Sequence, residues 1–365
     1  MQPSIPRAGL VLAASLILTS GSVAAAQDWK FQINVNAGDD EYRIAQQWAK
    51  SVGEKTGGEI NIEVLPTGTI VGNNETLDAV GAGIIQGHIT DPGYFSGKNP
   101  AFAVYGNMVG AWSGPAPFLD YMRNAGGEAG YNRLVEPYNV HLIRAGAVGA
   151  ESLISKRKIE SLDDLKGLKV RAPEGMVSNI FKLVGAAPVN LPTSEVYTGL
   201  EKGVIDAADY TVFSTNYQQG YHKYAPFAVY PGFHSMPMKD ISVNKALWDE
   251  LSPEQQKILE DSVDAFTEQL VSDLQKKDEE QVALAKQKGD VTLTSLSEGE
   301  LKKFRQSAGT SGRGGVIAVP RPRRRWIRSR PICKTRECSK SPFATPFFDD
   351  QRLSGYGRIV RGALP

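Results

Sequence analysis

Apolar residues recur at two spacings along most of this chain. Over residues 30–36 they alternate with polar ones, the period of a half-buried strand. Past Asp39, Asp40 and Glu41, which can cap a helix start, the spacing lengthens. Ile44, Trp48 and Val52 then share one stripe, which predicts a helix to about Lys55, stopped by Thr56-Gly57-Gly58. Alternation returns over 59–65 and closes at Pro66. A helix over 74–82 and a strand over 88–90 follow. Later units repeat the order: strand-like 140–144 and 168–171, helical 175–184 and 194–202, strand-like 204–208. Residues 253–289 form the longest helical stretch. It opens on Ser252-Pro253-Glu254, a cap with proline in the first turn. Strands alternating with helices predict an α/β fold with parallel sheets. There is no internal repeat and no Gly/Ser linker, as expected of lobes that share strands.

Charge changes this picture at one end. The net charge of +1 over 365 residues is a cancellation. Residues 312–365 carry eleven Arg and two Lys against Glu337, Asp349 and Asp350, a surplus of ten positive charges. The preceding 311 residues are therefore acidic, at −9. With 41% hydrophobic and 22% charged residues, this longer part can bury a core.

The first residues read as an export signal. Arg7 is followed by an apolar run over 9–18 and by Ala24-Ala25-Ala26, small residues suited to cleavage, so a signal peptide is expected over 1–26. The run falls short of the roughly 20 apolar residues of a membrane span. Both cysteines, Cys333 and Cys338, lie in the basic tail, so the mature body over 27–311 has none. An exported body of that length without disulfides points to a bacterial periplasm.

No enzyme motif stands out. His88, His141, His222 and His234 are isolated, without the paired spacing of a zinc hydrolase. There is no nucleophile elbow, no P-loop and no Cys nucleophile in the body. The run from Gly81 to Gly87 has the wrong glycine spacing for a dinucleotide loop, and it ends a helix instead of opening one. A secreted enzyme acting on a small carboxylate remains the alternative to a binding protein.

A longer pattern is more specific. The run from Ile159 through Leu165-Lys166-Gly167-Leu168-Lys169-Val170-Arg171 to Pro173 resembles the signature of TRAP transporter solute receptors, the DctP-type extracytoplasmic binding proteins. So does the run from Leu191-Pro192-Thr193 through Glu195, Tyr197, Leu200 and Gly203 to Asp206 and Asp209. Asn74–Gly83, Asp91-Pro92-Gly93-Tyr94 and 247–256 add to it, and the resemblance spans roughly 28–308.

The resemblance implies a two-lobed periplasmic binding protein fold with a hinge and a long connecting helix. It implies a small organic acid as ligand, a membrane permease as partner, and no catalysis. Lobe 1 is expected over 27–150, with part of 235–290 returning to it. Lobe 2 is expected over 151–234, with part of 291–308. Arg171, at the end of a strand and just before Pro173, is the expected carboxylate anchor, because a guanidinium fork meets a carboxylate in two parallel bonds.

Asp209 and Tyr210 stand where the family often meets the ligand, directly or through a bound cation. Tyr230-Pro231-Gly232-Phe233-His234 and Tyr94-Phe95 resemble the 2-oxo-acid branch, the TakP-like receptors. In that branch the acid and its neighbour's carbonyl hold a cation, so Asp209 and Tyr210 become metal candidates, with Na+ or Ca2+ suited to oxygen ligands. This chain has Asp209-Tyr210-Thr211 where the branch usually has Glu-Trp-Val, which leaves the cation open. Glu151 falls near the position where other members place Arg or Gln. An acid there favours a 2-oxo or 2-hydroxy monocarboxylate bound with a cation, or a ligand carrying its own positive group. Tyr94, Tyr210 and Phe233 are the expected aromatic walls.

Residues 309–365 do not continue the family pattern. Pro320-Arg321-Pro322-Arg323-Arg324-Arg325 could be an arm for phosphates, but an export signal directs the chain away from nucleic acid, so no nucleic-acid partner is expected. The segment is expected to be a disordered, aberrant tail. Its Arg, Pro, Gly and Ser content fits a frameshift near 309–312. Translating the other frames past codon 310 tests this: one of them should yield an acidic, helix-patterned continuation.

Overall fold

The structure, a computed structural model, describes residues 26–311. The expected signal peptide, apart from its last residue, and the tail from residue 312 lie outside the described residues. In chain order the elements are β1 (Gln27–Ile33), α1 (Asp40–Lys55), β2 (Ile60–Leu65), α2 (Thr76–Gly81), β3 (Gly87–Thr90), α3 (Pro100–Gly106), α4 (Pro115–Asn124), α5 (Gly127–Val135) and β4 (Val140–Ala147). There follow β5 (Leu153–Ser155), β6 (Lys169–Arg171), α6 (Met176–Leu183), β7 (Ala187–Val189), α7 (Val196–Glu201), β8 (Ala207–Ala208), α8 (Phe213–Gln218) and β9 (Phe227–Val229). The chain ends with β10 (Met238–Asn244), α9 (Lys245–Glu250), α10 (Pro253–Lys288), β11 (Thr292–Thr294) and α11 (Glu298–Ser311). The last helix runs three residues into the segment expected to be tail.

These elements build two sheets. The first has the order β2-β1-β3-β10-β4, the second β11-β9-β5-β8-β6-β7. Each carries apolar clusters on both faces. Phe31, Ile33, Ile89 and Ile241 pack on α1 and α10, while Leu142, Ala145 and Met238 pack on α3, α4 and α5. In the second sheet Val170 and Ala207 face α6 and α11, and Ala208 and Ala228 face α7 and α8. Two helix-covered sheets are the two lobes of the expected α/β fold.

The sheets are mixed, not parallel. β10 runs antiparallel to β3 and to β4, and β5 runs antiparallel to β8 and β9. The cause is connectivity. The chain leaves the first sheet after β4, builds most of the second, and re-enters the first from the cleft side, which reverses the strand direction.

Local chemistry explains the longest element. Ser252 Oγ accepts from Gln255 N, Gln255 Oε1 accepts from Ser252 N, and Pro253 holds the first turn. Gly289, in the left-handed region at φ 67°, ends it. At 36 residues α10 is about 54 Å long, enough to brace both lobes. Its Ser262 receives a bond from Trp48 of α1, and its Asp278 accepts from the backbone of Ser214 in α8. Among the described residues no helix is long and apolar enough to cross a membrane.

A buried charged cavity between the sheets

The carboxyl ends of the parallel strands point at one another across the gap between the lobes. β6 and β8 are neighbours, with Arg171 opposite Ala208, so Arg171 and Asp209 leave adjacent strand ends side by side. Asp91 follows β3 in the same way. Because β10 is antiparallel, its beginning, Lys239, reaches the same edge. Glu151 lies in the crossover from β4 to β5. Together with Asn34, Glu41, Tyr94, Thr193, Tyr210 and Thr211, these residues line a cavity of about 30 Å³. That is room for about two waters in this form.

Arg171 is 3% exposed and rigidly held. Its Nε donates to the Leu191 carbonyl (3.1 Å), Nη1 to the Asp209 carbonyl (2.6 Å) and Nη2 to the Tyr94 hydroxyl (3.4 Å). A guanidinium has five N–H groups. One on each terminal nitrogen is therefore left over, the pair that a carboxylate would bridge.

Opposite lies an acidic cluster. His234 Nε2 meets Asp209 Oδ1 at 2.9 Å, and both are buried. Ser235 donates to Glu151 Oε2 and receives a bond from Asn107, while Glu151 N donates to the Ser235 carbonyl (2.9 Å). Gly232 permits this packing, since a Cβ there would lie 2.1 Å from the Glu151 carbonyl oxygen. One atom of each of Glu151, Asp209 and His234 lies within 4.8 Å of the others, and Asp209 Oδ2 is buried with no hydrogen-bond partner. An orphaned carboxylate oxygen beside a second carboxylate suits a hard cation such as Na+ or Ca2+. His234 is already bonded to Asp209, so it orients that ligand in place of binding the ion.

The electrostatics follow from burial and neighbours. Burial, reinforced by the Asp209 charge, pushes Glu151 well above the usual carboxylate range. Burial would raise Asp209 too, but the paired His234 and the nearby Arg171 outweigh it and hold Asp209 low. Burial lifts Asp91 to about 6, moderated by the Gly93 N–H and Lys239.

Tyr210 also joins the lobes. Its hydroxyl donates to Asp39 Oδ2 (2.5 Å) and accepts from Asn36 Nδ2 (2.9 Å). Gln219 donates to the other Asp39 oxygen, Thr211 donates to Glu41 (3.0 Å), and the Thr67 and Thr193 hydroxyls meet at 3.3 Å. Asp39 stands at the start of α1, yet its side chain makes no cap bond there. It serves the Asn36 N–H and the other lobe instead.

Of the six expected site residues, Arg171, Glu151, Tyr94, Asp209 and Tyr210 line the cavity. Phe233 does not. Its ring packs edge-on against Phe304 of α11, 5.0 Å away, while the next residue, His234, faces Asp209. Sequence reasoning missed Lys239, Glu41, Asp91 and the role of His234. The available signal for Lys239 was a charged pair, Lys239-Asp240, inside the apolar stretch 236–243. A larger groove of about 780 Å³ lies between α4 and α10, but Arg123 on its wall is already paired with Glu128 and Asp264.

Four similarities bear on this site. Residues 31–311 match the model of the bacterial extracellular solute-binding protein family 7. The chain is 30% identical over 261 residues, 67% of its length and 71% of the relative's, to a monocarboxylate 2-oxoacid-binding periplasmic protein from Nostoc sp.. A TRAP periplasmic solute-binding protein from Rhodobacter sphaeroides, solved in an apo open form, is 44% identical, with a TM-score of 0.64 over 79% of this chain and 93% of that one. Another, from Colwellia psychrerythraea with bound calcium and pyruvate, is 23% identical, with a TM-score of 0.70 over 79% and 88%.

Proposed function

The chain belongs to bacterial extracellular solute-binding protein family 7, and on that basis we propose that it is the periplasmic receptor of a TRAP transporter. It takes a small 2-oxo or 2-hydroxy monocarboxylate between its lobes and hands it to a membrane permease, without chemical turnover. The observation that carries this is Arg171: fully buried, held by three bonds, with one N–H left on each terminal nitrogen at a cavity wall.

The proposed roles follow the geometry. Arg171 grips the carboxylate and Tyr94 supports its outer nitrogen. Glu151 and Asp209 hold a cation, Na+ or Ca2+, with His234 fixing the orientation of Asp209. A cation there would neutralise the acidic wall and let an anion approach it. Tyr210 belongs to closure: it and Asp39 latch the lobes around the ligand. The Nostoc relative is named for 2-oxoacids and the Colwellia protein holds calcium with pyruvate, which supports the same reading.

The lobe limits proposed are 27–150 with part of 235–290, and 151–234 with part of 291–308. An export signal over 1–26 is proposed to deliver the chain to the periplasm.

The test is a thermal-shift and calorimetric screen of mono-, di- and 2-oxo-carboxylates, each with and without Ca2+. A cognate acid should raise Tm by mass action and remain chemically unchanged. A screen in which no carboxylate binds, or in which a bound acid is converted, overturns the receptor reading.

A further inference from the structure

The cavity has a second cation that the anchor does not explain. Lys239 is 4% exposed, stands at the start of β10 in the first lobe, and lines the same cavity as Arg171 of the second. Its Nζ lies 2.6 Å from Glu41 Oε2 and donates to Asn34 Oδ1 at 3.3 Å. An ammonium has three N–H groups, so a third is left without an acceptor among the described residues. Burial favours the neutral amine, but Glu41, with Glu151 and Asp91 further off, keeps Lys239 charged. A buried ion pair of this kind is no better for stability than apolar residues of similar volume, so packing alone gives no reason for a lysine on this wall.

The position is also fixed by closure. Glu41, which holds Lys239, accepts a bond from Thr211 of the other lobe. When the lobes meet, the ammonium and the Arg171 fork are set on opposite lobes around one small space. A carboxylate gripped by Arg171 turns the rest of its molecule toward the first lobe.

We propose that Lys239 is a specificity-determining contact, donating its free N–H to an oxygen on carbon 2 of the bound acid. The inference rests on the carboxylate reading of the site. It adds that the receptor separates 2-oxo and 2-hydroxy acids from plain carboxylates through this residue, with Glu41 and Asn34 positioning it. The third N–H otherwise stays unmatched in a buried place, a cost that a ligand oxygen removes.

Pyruvate and propionate are nearly the same size and differ at carbon 2, so their affinities measure this contact. Both are titrated calorimetrically into the purified protein at one fixed, saturating Ca2+ concentration. The wild type should prefer pyruvate at least tenfold. The double variant Lys239→Met with Glu41→Gln removes both charges together and leaves neither buried alone. Its preference should fall toward one while propionate affinity stays within a few-fold of wild type. Lys239→Gln, whose amide can still donate to Glu41, is the second variant and must show the same fall if the first melts without cooperativity. Equal weakening of both acids, or an unchanged ratio, overturns the proposal, since that is what a purely structural ion pair gives. Equal binding of both acids by the wild type overturns it and leaves the carboxylate reading standing. Failure of the wild type to bind either acid overturns both.

Discussion

Arg171→Lys separates charge from geometry. Lysine keeps the positive charge at the end of β6 but loses the fork. In the native arrangement three N–H groups hold the side chain to Leu191, Asp209 and Tyr94, and two remain for a carboxylate. A lysine has three donors in all, and the Leu191 and Asp209 carbonyls, both buried, compete for them. One ligand bond of the two is therefore lost, and the survivor is poorly aligned. A hydrogen bond to a charged partner contributes about 1.5–3 kcal/mol. The affinity for a cognate acid should drop by roughly 10- to 150-fold. Calorimetry on wild type and variant under identical Ca2+ measures this directly, and circular dichroism confirms that both are folded. A variant within about threefold of wild type would sink the anchor assignment, whatever its stability.

Tyr210→Phe deletes two bonds between the lobes, at about 1 kcal/mol each, so the closed form should become roughly 10- to 30-fold less favoured. The apparent affinity should fall by the same factor and the radius of gyration by X-ray scattering should rise; an unchanged affinity and radius would rule out the latch. Glu151→Gln should leave the fold intact but erase the affinity gained on adding Ca2+, and a Ca2+ effect that survives would remove Glu151 from the cation site. Asp278 of α10 is buried and raised to about 6 from an ordinary 3.8. The folded protein thus keeps a proton over about pH 4 to 6 that the unfolded chain has lost, and stability falls across that window as pH rises. Asp278→Asn can keep the bond from Ser214 and avoids the charging cost, so at pH 7 it should be more stable by about 2–3 kcal/mol, with no gain at pH 4. Equal denaturation midpoints at pH 7 would contradict this.

The elements with strong local periodicity are legible in the amino-acid order itself. The stripe Ile44, Trp48, Val52 marks α1, and the Ser252-Pro253 cap marks the start of α10. Arg171 is readable because its strand ends at Pro173. Strand direction is not, because nothing in the local pattern of 238–244 says that the chain has come back from another lobe. Phe233 escapes a local reading for a related reason: which of two neighbours faces the cavity depends on tertiary packing, here that of the Phe233 ring on Phe304 of α11. Lys239, Glu41 and Asp91 are far apart in sequence and meet only through the sheet edges. His234 gains its partner Asp209 in the same way, so a search by local spacing cannot pair them.

The position of β10 has a consequence for the order in which the molecule can be made. In the first sheet β10 lies between β3 and β4, so β4 has no strand partner until residue 244 exists. A nascent chain ending at residue 150 holds an unfinished sheet with a gap in its middle. The second sheet needs nothing beyond β9 except its edge strand β11, and is nearly complete by residue 229. Multidomain chains ordinarily fold from the N-terminus as synthesis proceeds. Here the later lobe is able to close first, and the earlier one must wait, open-edged, for a strand that arrives almost a hundred residues after its neighbour.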